Sequence, residues 1–173
     1  MPDRSTRDRI LDAYERLLVE GGTPAATLDA VAAAAEVSKG GLLYHFGSKD
    51  ELRTGTLERL RATARTDAER MRGATEGPVE YYLQTSVDSG SDFDRALIAA
   101  ACLAFESDEH ATEALAEIRV GWFKVLNDHL QDEALARTVQ LIGDGLYFDD
   151  TTGLARASSI DDVRDVLQRL GVL

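Results

Sequence analysis

The chain has 173 residues, enough for one domain or for a small module joined to a larger one. Its 44% hydrophobic content is ordinary for a water-soluble globular protein, and its one cysteine rules out an internal disulfide. A formal net charge of −12 argues against indiscriminate coating of nucleic acid, but residues 1–60 hold 8 Lys/Arg against 10 Asp/Glu while residues 61–173 hold 11 against 21, so a local basic face in the first third is not excluded.

Alanine is abundant and proline is confined to Pro2, Pro24 and Pro78, which favours helix nearly everywhere and predicts an all-α fold. The opening MPDRSTRDRI carries positive charge without an apolar core behind it, so no secretory signal is expected. Ile10, Tyr14, Leu17 and Leu18 recur at helical spacing, predicting a first helix from Thr6 to Glu20, capped by Ser5 or Thr6 and ended by Gly21-Gly22. Thr27 caps a second helix whose inner face is Leu28, Val31, Ala32 and Ala35. After Glu36-Val37, Ser38 caps a short third helix to about His45, with Leu42 and Phe46 facing inward, and Gly47 ends it. Ser48 caps a fourth, long helix that reaches about Arg72, with Leu57, Leu60, Ala64, Ala68 and Met71 on one face.

Gly73 to Pro78 is the clearest internal boundary. Beyond it, helices are predicted over Pro78–Val87, Phe93–Phe105, Glu109–Leu130, Glu133–Phe148 and Ile160–Leu170, with a break from Asp149 to Ser159. Ala96 to Phe105 is the longest apolar run, and its ten residues fall well short of the ~20 a membrane span requires. Cys102 sits inside that run beside Ala101 and Leu103 and reads as a buried, inert thiol. With no signal, no span and no disulfide, the chain is expected in the cytoplasm.

Two short helices with a tight turn between them form the skeleton of a helix-turn-helix. Ala32 lies where they cross, and Val37 and Leu42 plug the angle. The second of the two then presents Lys39, Gly41, Leu43, Tyr44 and His45 outward, a mixture suited to the DNA major groove. Gly40 and Gly41 bare the start of that helix for close approach to a phosphate or a base, Lys39 and Lys49 bracket it, and Arg4 and Arg7 form an arm nearby. Each residue also has a plainer reading: Lys39 as a solvated lysine, Tyr44 as packing on the fourth helix, His45 as a packing residue. His45 has no catalytic partner at any recognisable spacing, and Gly40-Gly41 does not match a nucleotide-binding loop.

At these residues the chain resembles the TetR family of transcriptional repressors. The likeness spans about Ile10 to Leu60 and is carried above all by V-S-K-G-G-L-L-Y-H-F-x-S-K-D-E-L. It implies a DNA-binding domain at 1–47 with its motif at about 27–46, a bridging helix at 48–72, and a helical ligand-binding and dimerisation body at 73–173. The implied DNA-contacting residues are Thr27, Ser38, Lys39, Gly40, Gly41, Leu43, Tyr44, His45 and Lys49. The implied partners are a palindromic operator in double-stranded DNA, a second copy of the chain and a small, mostly apolar effector, with no cofactor and no membrane. Two positions depart from the family pattern. Glu36 stands where glycine is usual in the turn, and a positive φ there costs a glutamate about 1 kcal/mol. Leu43 replaces an aromatic residue and suits a thymine methyl.

In the body, Tyr81, Tyr82, Phe93, Phe105, Trp122 and Phe123 gather most of the aromatic side chains. Met71, Tyr82, Phe93, Phe105 and Trp122 are the expected lining of an effector pocket; the alternative is that they fill the core. By the same resemblance, Leu135, Val139, Ile142, Leu146, Val163 and Leu167 are expected to form a dimer interface, Gly143 and Gly145 permitting close contact; the alternative is a monomer core. His110 and His129 make no metal set, and no catalytic set is present. The leading expectation is therefore an effector-responsive repressor. A second reading is a protein of the same build with lost or altered DNA binding that acts as a protein-interaction module, for which Glu36 and the acidity speak.

Overall fold

The computed structural model describes residues 5–154 and 160–173. Arg4, one of the two expected arm residues, lies outside them, as do residues 155–159 of the predicted break. Among the described residues all regular structure is helical: α1 (Thr6–Ala25), α2 (Leu28–Ala34), α3 (Lys39–His45), α4 (Lys49–Arg72), α5 (Pro78–Thr85), α6 (Asp92–Phe105), α7 (Glu109–Leu130), α8 (Glu133–Thr152) and α9 (Ile160–Arg169). None of the described helices is long and apolar enough to cross a membrane.

The helices start where short side chains take up free backbone donors. Ser5 Oγ accepts from the Asp8 N–H at 3.1 Å, Thr27 Oγ1 from Ala30 at 3.2 Å, Ser38 Oγ from Gly41 at 3.0 Å and Ser48 Oγ from Glu51 at 3.1 Å. Glu51 in turn accepts from the Gly47 N–H at 2.9 Å, so two residues close the start of α4 from both sides. The regular part of α1 breaks at Gly22, whose φ of 67° is left-handed, and a short turn with Pro24 follows.

Two compact units result, and α4 and α7 each contribute residues to both. The first runs to Thr63 and includes Asp92–Ala116; the second comprises Ala64–Ser91 and Glu117–Leu173. The division into units therefore does not follow the sequence boundary at 73. In the first unit, α6 lies along α1 in its most extensive helix pairing. Ile10, Leu11, Tyr14 and Leu18 of α1 are buried together with Ala96, Ala99, Ala100 and Leu103 of α6, whose small alanines admit close packing.

The second unit is built on Met71, Val79, Tyr82, Leu83, Val125, Leu126, Val139, Leu146 and Leu167. Gly143 of α8 makes room for α5: a Cβ there would stand 2.3 Å from the Tyr82 ring. Helix α8 extends four residues past its predicted end and stops at Gly153, whose φ of 76° turns the chain and whose N–H bonds back to α8.

Candidate nucleic-acid interface and effector site

Helix α2 ends in a tight closure. The Val37 N–H donates to Ala32 O at 3.0 Å and the Glu36 N–H to Ala33 O at 3.1 Å, which places Glu36 at φ 54°. The remaining carbonyls at this end are taken by α1. Arg9 Nη2 donates to Ala35 O at 2.6 Å and to Glu36 O at 3.2 Å, and Arg16 Nη2 donates to Ala34 O at 3.3 Å. Two guanidinium groups thus stand at the negative end of α2. Their seven-residue spacing puts Arg9 and Arg16 on one face two turns apart, a signal the sequence reading passed over.

Held this way, α3 buries Leu42 completely and Phe46 nearly so at its end, and turns the rest outward. Tyr44 is 86% exposed and Leu43 40% exposed. Thr27, Ser38, Lys39 and Gly40 are also exposed, while Gly41 and His45 are half-buried. A Cβ at Gly40 would meet nothing closer than Ser38 Oγ at 4.0 Å, so packing within the chain does not demand glycine there. At Gly41 a Cβ would press on the capping hydroxyl at 3.2 Å. The His45 ring stands edge-on to Tyr44 with centroids 5.2 Å apart. Arg7, the arm residue within the described part, lies 5.0 Å over the Phe46 ring.

Both bracketing lysines have partners inside the chain. Lys39 Nζ pairs with Asp29 of α2 at 2.9 Å; both side chains are well exposed, and such a pair contributes at most about 1 kcal/mol. Lys49 is half-buried and donates to Thr23 O at 2.8 Å. The Thr23 N–H donates to Glu106 Oε1, at the end of α6, at 3.3 Å.

The first unit also holds an ionic seam. Arg59 of α4 reaches Asp12 at 2.8 Å and Glu15 at 2.6 Å, and Arg95 of α6 lies 3.7 Å from each of the same two carboxylates. Glu15 is fully buried, and burial pushes its carboxyl above the ordinary range against the pull of Arg59 and Arg95. Two grooves flank the seam. One of about 360 Å³ is lined by Arg9, Arg16, Glu36 and Arg95; the other, of about 230 Å³, is lined by Asp8, Arg59, Thr63 and Phe93. Farther along the unit, Arg53 of α4 pairs at 2.7 Å with Asp108, whose other oxygen caps α7 by accepting from the Ala111 N–H.

The five expected pocket residues are divided between the two units. Met71, Tyr82 and Trp122 share the core region of the second unit. Phe93 belongs to the first unit, where it lines the smaller groove, and Phe105, at the C-terminal end of α6, is 90% exposed. An aromatic count along a sequence does not tell which face each ring takes. Around Trp122 the polar contacts are specific: Trp122 Nε1 donates to Asp67 at 2.8 Å, Tyr81 Oη donates to the same carboxylate at 2.9 Å, and Tyr82 Oη donates to Asp144 at 3.1 Å. Arg119 pairs with Asp144 at 2.6 Å. Cys102 is half-buried, not fully enclosed, and burial pushes its thiol up, away from the reactive thiolate.

The expected dimer stripe also needs correction. Val139, Leu146 and Leu167 are buried within the second unit, and Leu135, Ile142 and Val163 pack against the same core. The outward apolar residues of α8 and α9 are instead Leu141 (58% exposed), Phe148 (59%) and Val166 (46%), with Leu170 (65%) just past the end of α9. Gly143 serves the contact with Tyr82, whereas Gly145 has open space around it. Among the described residues no group of three His, Cys, Asp or Glu is placed to hold a metal ion.

Comparison with known proteins agrees with this build. The family model for bacterial regulatory proteins, tetR family, matches residues 10–54, and the model for the tetracyclin repressor-like C-terminal domain matches residues 76–172. The uncharacterized HTH-type transcriptional regulator TtgW of Pseudomonas putida is 43% identical over 49 residues. That stretch is 28% of this chain and 37% of TtgW, so the chain spans little more than a third of this curated relative. Among solved structures, Salmonella enterica GusR has a TM-score of 0.69 at 21% identity, covering 97% of this chain and 95% of that one. A putative transcriptional regulator from Saccharomonospora viridis in complex with choline has a TM-score of 0.70 at 19% identity, covering 94% and 93%. The multidrug binding protein EbrR complexed with imidazole has a TM-score of 0.63 at 23% identity, covering 97% and 96%. At these identities the structural likeness is one of fold.

Proposed function

The chain belongs to the TetR family of bacterial regulatory proteins, a DNA-binding transcriptional regulator and not an enzyme, and on that premise we propose that it is a homodimeric repressor released from a palindromic operator by a small, mostly apolar effector. The observation that carries this reading is the outward face of α3. A tyrosine that is 86% exposed, a leucine that is 40% exposed and a glycine not required by packing stand together on a helix anchored by buried Leu42. Such a face suits the major groove. In this reading Tyr44, Lys39 and Lys49 contact phosphates, Leu43 meets a thymine methyl, and Gly40 and Gly41 admit close approach. Thr27, Ser38 and His45 complete the contact surface. A palindrome read by two such helices has half-sites about 34–36 Å apart.

The partner copy meets the apolar residues left outside by α8 and α9, Leu141, Phe148 and Val166, and Leu170 just beyond α9, with Gly145 allowing close approach. The effector binds in the second unit; related folds solved with choline and with imidazole support a small-molecule occupant. Helix α4 contributes to both units and so is a continuous element through which occupancy can act on α3.

A gel shift with the chain's own upstream DNA tests the proposal. Specific binding is expected for the wild type and loss of the shift for Lys39→Ala combined with Tyr44→Ala, with the dimer intact by light scattering. Affinity is also expected to drop steeply with added salt, as phosphate contacts require. A normal shift from the double variant would overturn the site assignment, and a flat salt response would overturn the phosphate contacts.

A further inference from the structure

Five carboxylates that lie partly or fully out of solvent are paired with arginine. Asp12 and Glu15 have Arg59, Asp108 has Arg53, Glu80 has Arg164, and Asp144 has Arg119. Asp67 is different. It is half-buried on α4, and the partners of its two oxygens are the neutral donors Tyr81 Oη at 2.9 Å and Trp122 Nε1 at 2.8 Å. Among the described residues no cationic side chain forms an ion pair with it.

A carboxylate withdrawn from water and left without a counter-charge is costly, and it holds a strong local field. That field acts on its surroundings. The Tyr81 hydroxyl is pushed up to about 12 by burial and by the hydrogen bond and charge of Asp67, and Tyr82 is raised further by burial and Asp144. The neighbouring groups are themselves suited to a cation. Tyr82 and Trp122 are in ring contact, with centroids 5.9 Å apart, and Tyr81 and Trp122 are half-buried, hence reachable. The faces of such rings attract ammonium groups, more strongly as water is excluded. The charge of residues 61–173, with 11 Lys/Arg against 21 Asp/Glu, favours the approach of cations.

We propose that the effector is an organic cation whose positive charge is met by Asp67 and whose apolar body lies against Tyr81, Tyr82 and Trp122. This rests on the reading of the second unit as the effector site and names the ligand class for it. A neutral effector of the same shape leaves Asp67 without a counter-charge and binds more weakly. Asp144, already neutralised by Arg119, holds Tyr82 in place and does not supply the charge.

Trp122 is the chain's only tryptophan, so intrinsic fluorescence reports on this site alone. The full-length protein is titrated with benzyltrimethylammonium and with neopentylbenzene, its neutral isostere, and the same samples are followed by DNA anisotropy. The expected result is quenching or shift of Trp122 emission by the cation, with at least tenfold weaker binding of the isostere. Asp67→Asn is expected to reduce that preference to less than about threefold. Equal binding of the two probes by the wild type, or no response of Trp122 to the cation, overturns the inference, and neither result depends on a variant folding. If DNA binds specifically and is released by the neutral probe only, the cation proposal fails and the repressor reading stands. If no specific DNA binding is found, the repressor reading fails on its own, whatever the cation does.

Discussion

Arg9 of α1 donates to the carbonyl oxygen of Ala35 at 2.6 Å, so the first helix holds the closing turn of the second. The bond is charge-assisted and partly buried, and without it Ala35 and Glu36 lose their shared donor. Arg9→Ala is expected to destabilise the fold by about 1–3 kcal/mol, read from the urea midpoint. It should also weaken DNA binding, because the turn aims α3; a variant with wild-type stability and affinity would show that the turn stands without this support.

Glu36 sits at φ 54° in that turn. Glycine relieves the left-handed penalty and gives back part of the gain as chain entropy, so Glu36→Gly is expected to stabilise the fold by a net of at most about 0.5 kcal/mol. Thermal unfolding followed by circular dichroism measures it. A lowered midpoint would mean that the glutamate side chain supplies a compensating interaction.

Glu15 predicts a pH signature. Its carboxyl is raised above its ordinary value of 4.5 when folded, so the folded state holds this proton more tightly than the unfolded chain. Its contribution to stability is therefore fully present below the unfolded value and is lost as pH rises through the folded one. Glu15→Gln removes the titration. Relative to that variant, the wild type should lose stability on going upward from about pH 4.5, in denaturant unfolding measured at a series of pH values. A wild type that instead gains on the variant over this range would show that Arg59 and Arg95 outweigh burial.

The two faces of α8 predict opposite outcomes for the same kind of substitution. Phe148→Asp places a charge on the outward face and is expected to convert a dimer to a folded monomer in light scattering. Val139→Asp buries an unpaired charge in the core of the second unit and is expected to unfold it. A dimer that survives Phe148→Asp together with Leu141→Asp would place the interface elsewhere.

These same two faces show where sequence reading stopped. Helix starts were legible because capping is local: Ser5, Thr27, Ser38 and Ser48 each satisfy a donor three residues on. The outward residues of α3 were legible because Leu42 and Phe46 fix its buried side. Helix α8 gave no such anchor. Leu135, Val139, Ile142 and Leu146 form one apolar stripe and Leu141, Gly145 and Phe148 another, and periodicity alone does not say which turns inward. What decides it is the Tyr82 ring resting on Gly143, a contact across 61 positions of chain. Glu15 and Asp67 escaped notice for the same reason, since their partners lie on other helices.

Thr23 sits at a junction whose two bonds have a kinetic meaning. Its carbonyl takes Lys49 from the start of α4, and its amide reaches Glu106 at the end of α6. In the proposed binding mode, a phosphate that draws Lys49 outward must first strip that ammonium from the carbonyl, so docking on DNA and tying off the end of α1 would compete for one side chain. The amide bond to Glu106 does not compete in this way and can persist after the exchange. Association through Lys49 is thus a replacement of one acceptor by another, with the backbone of α1 left for water to solvate.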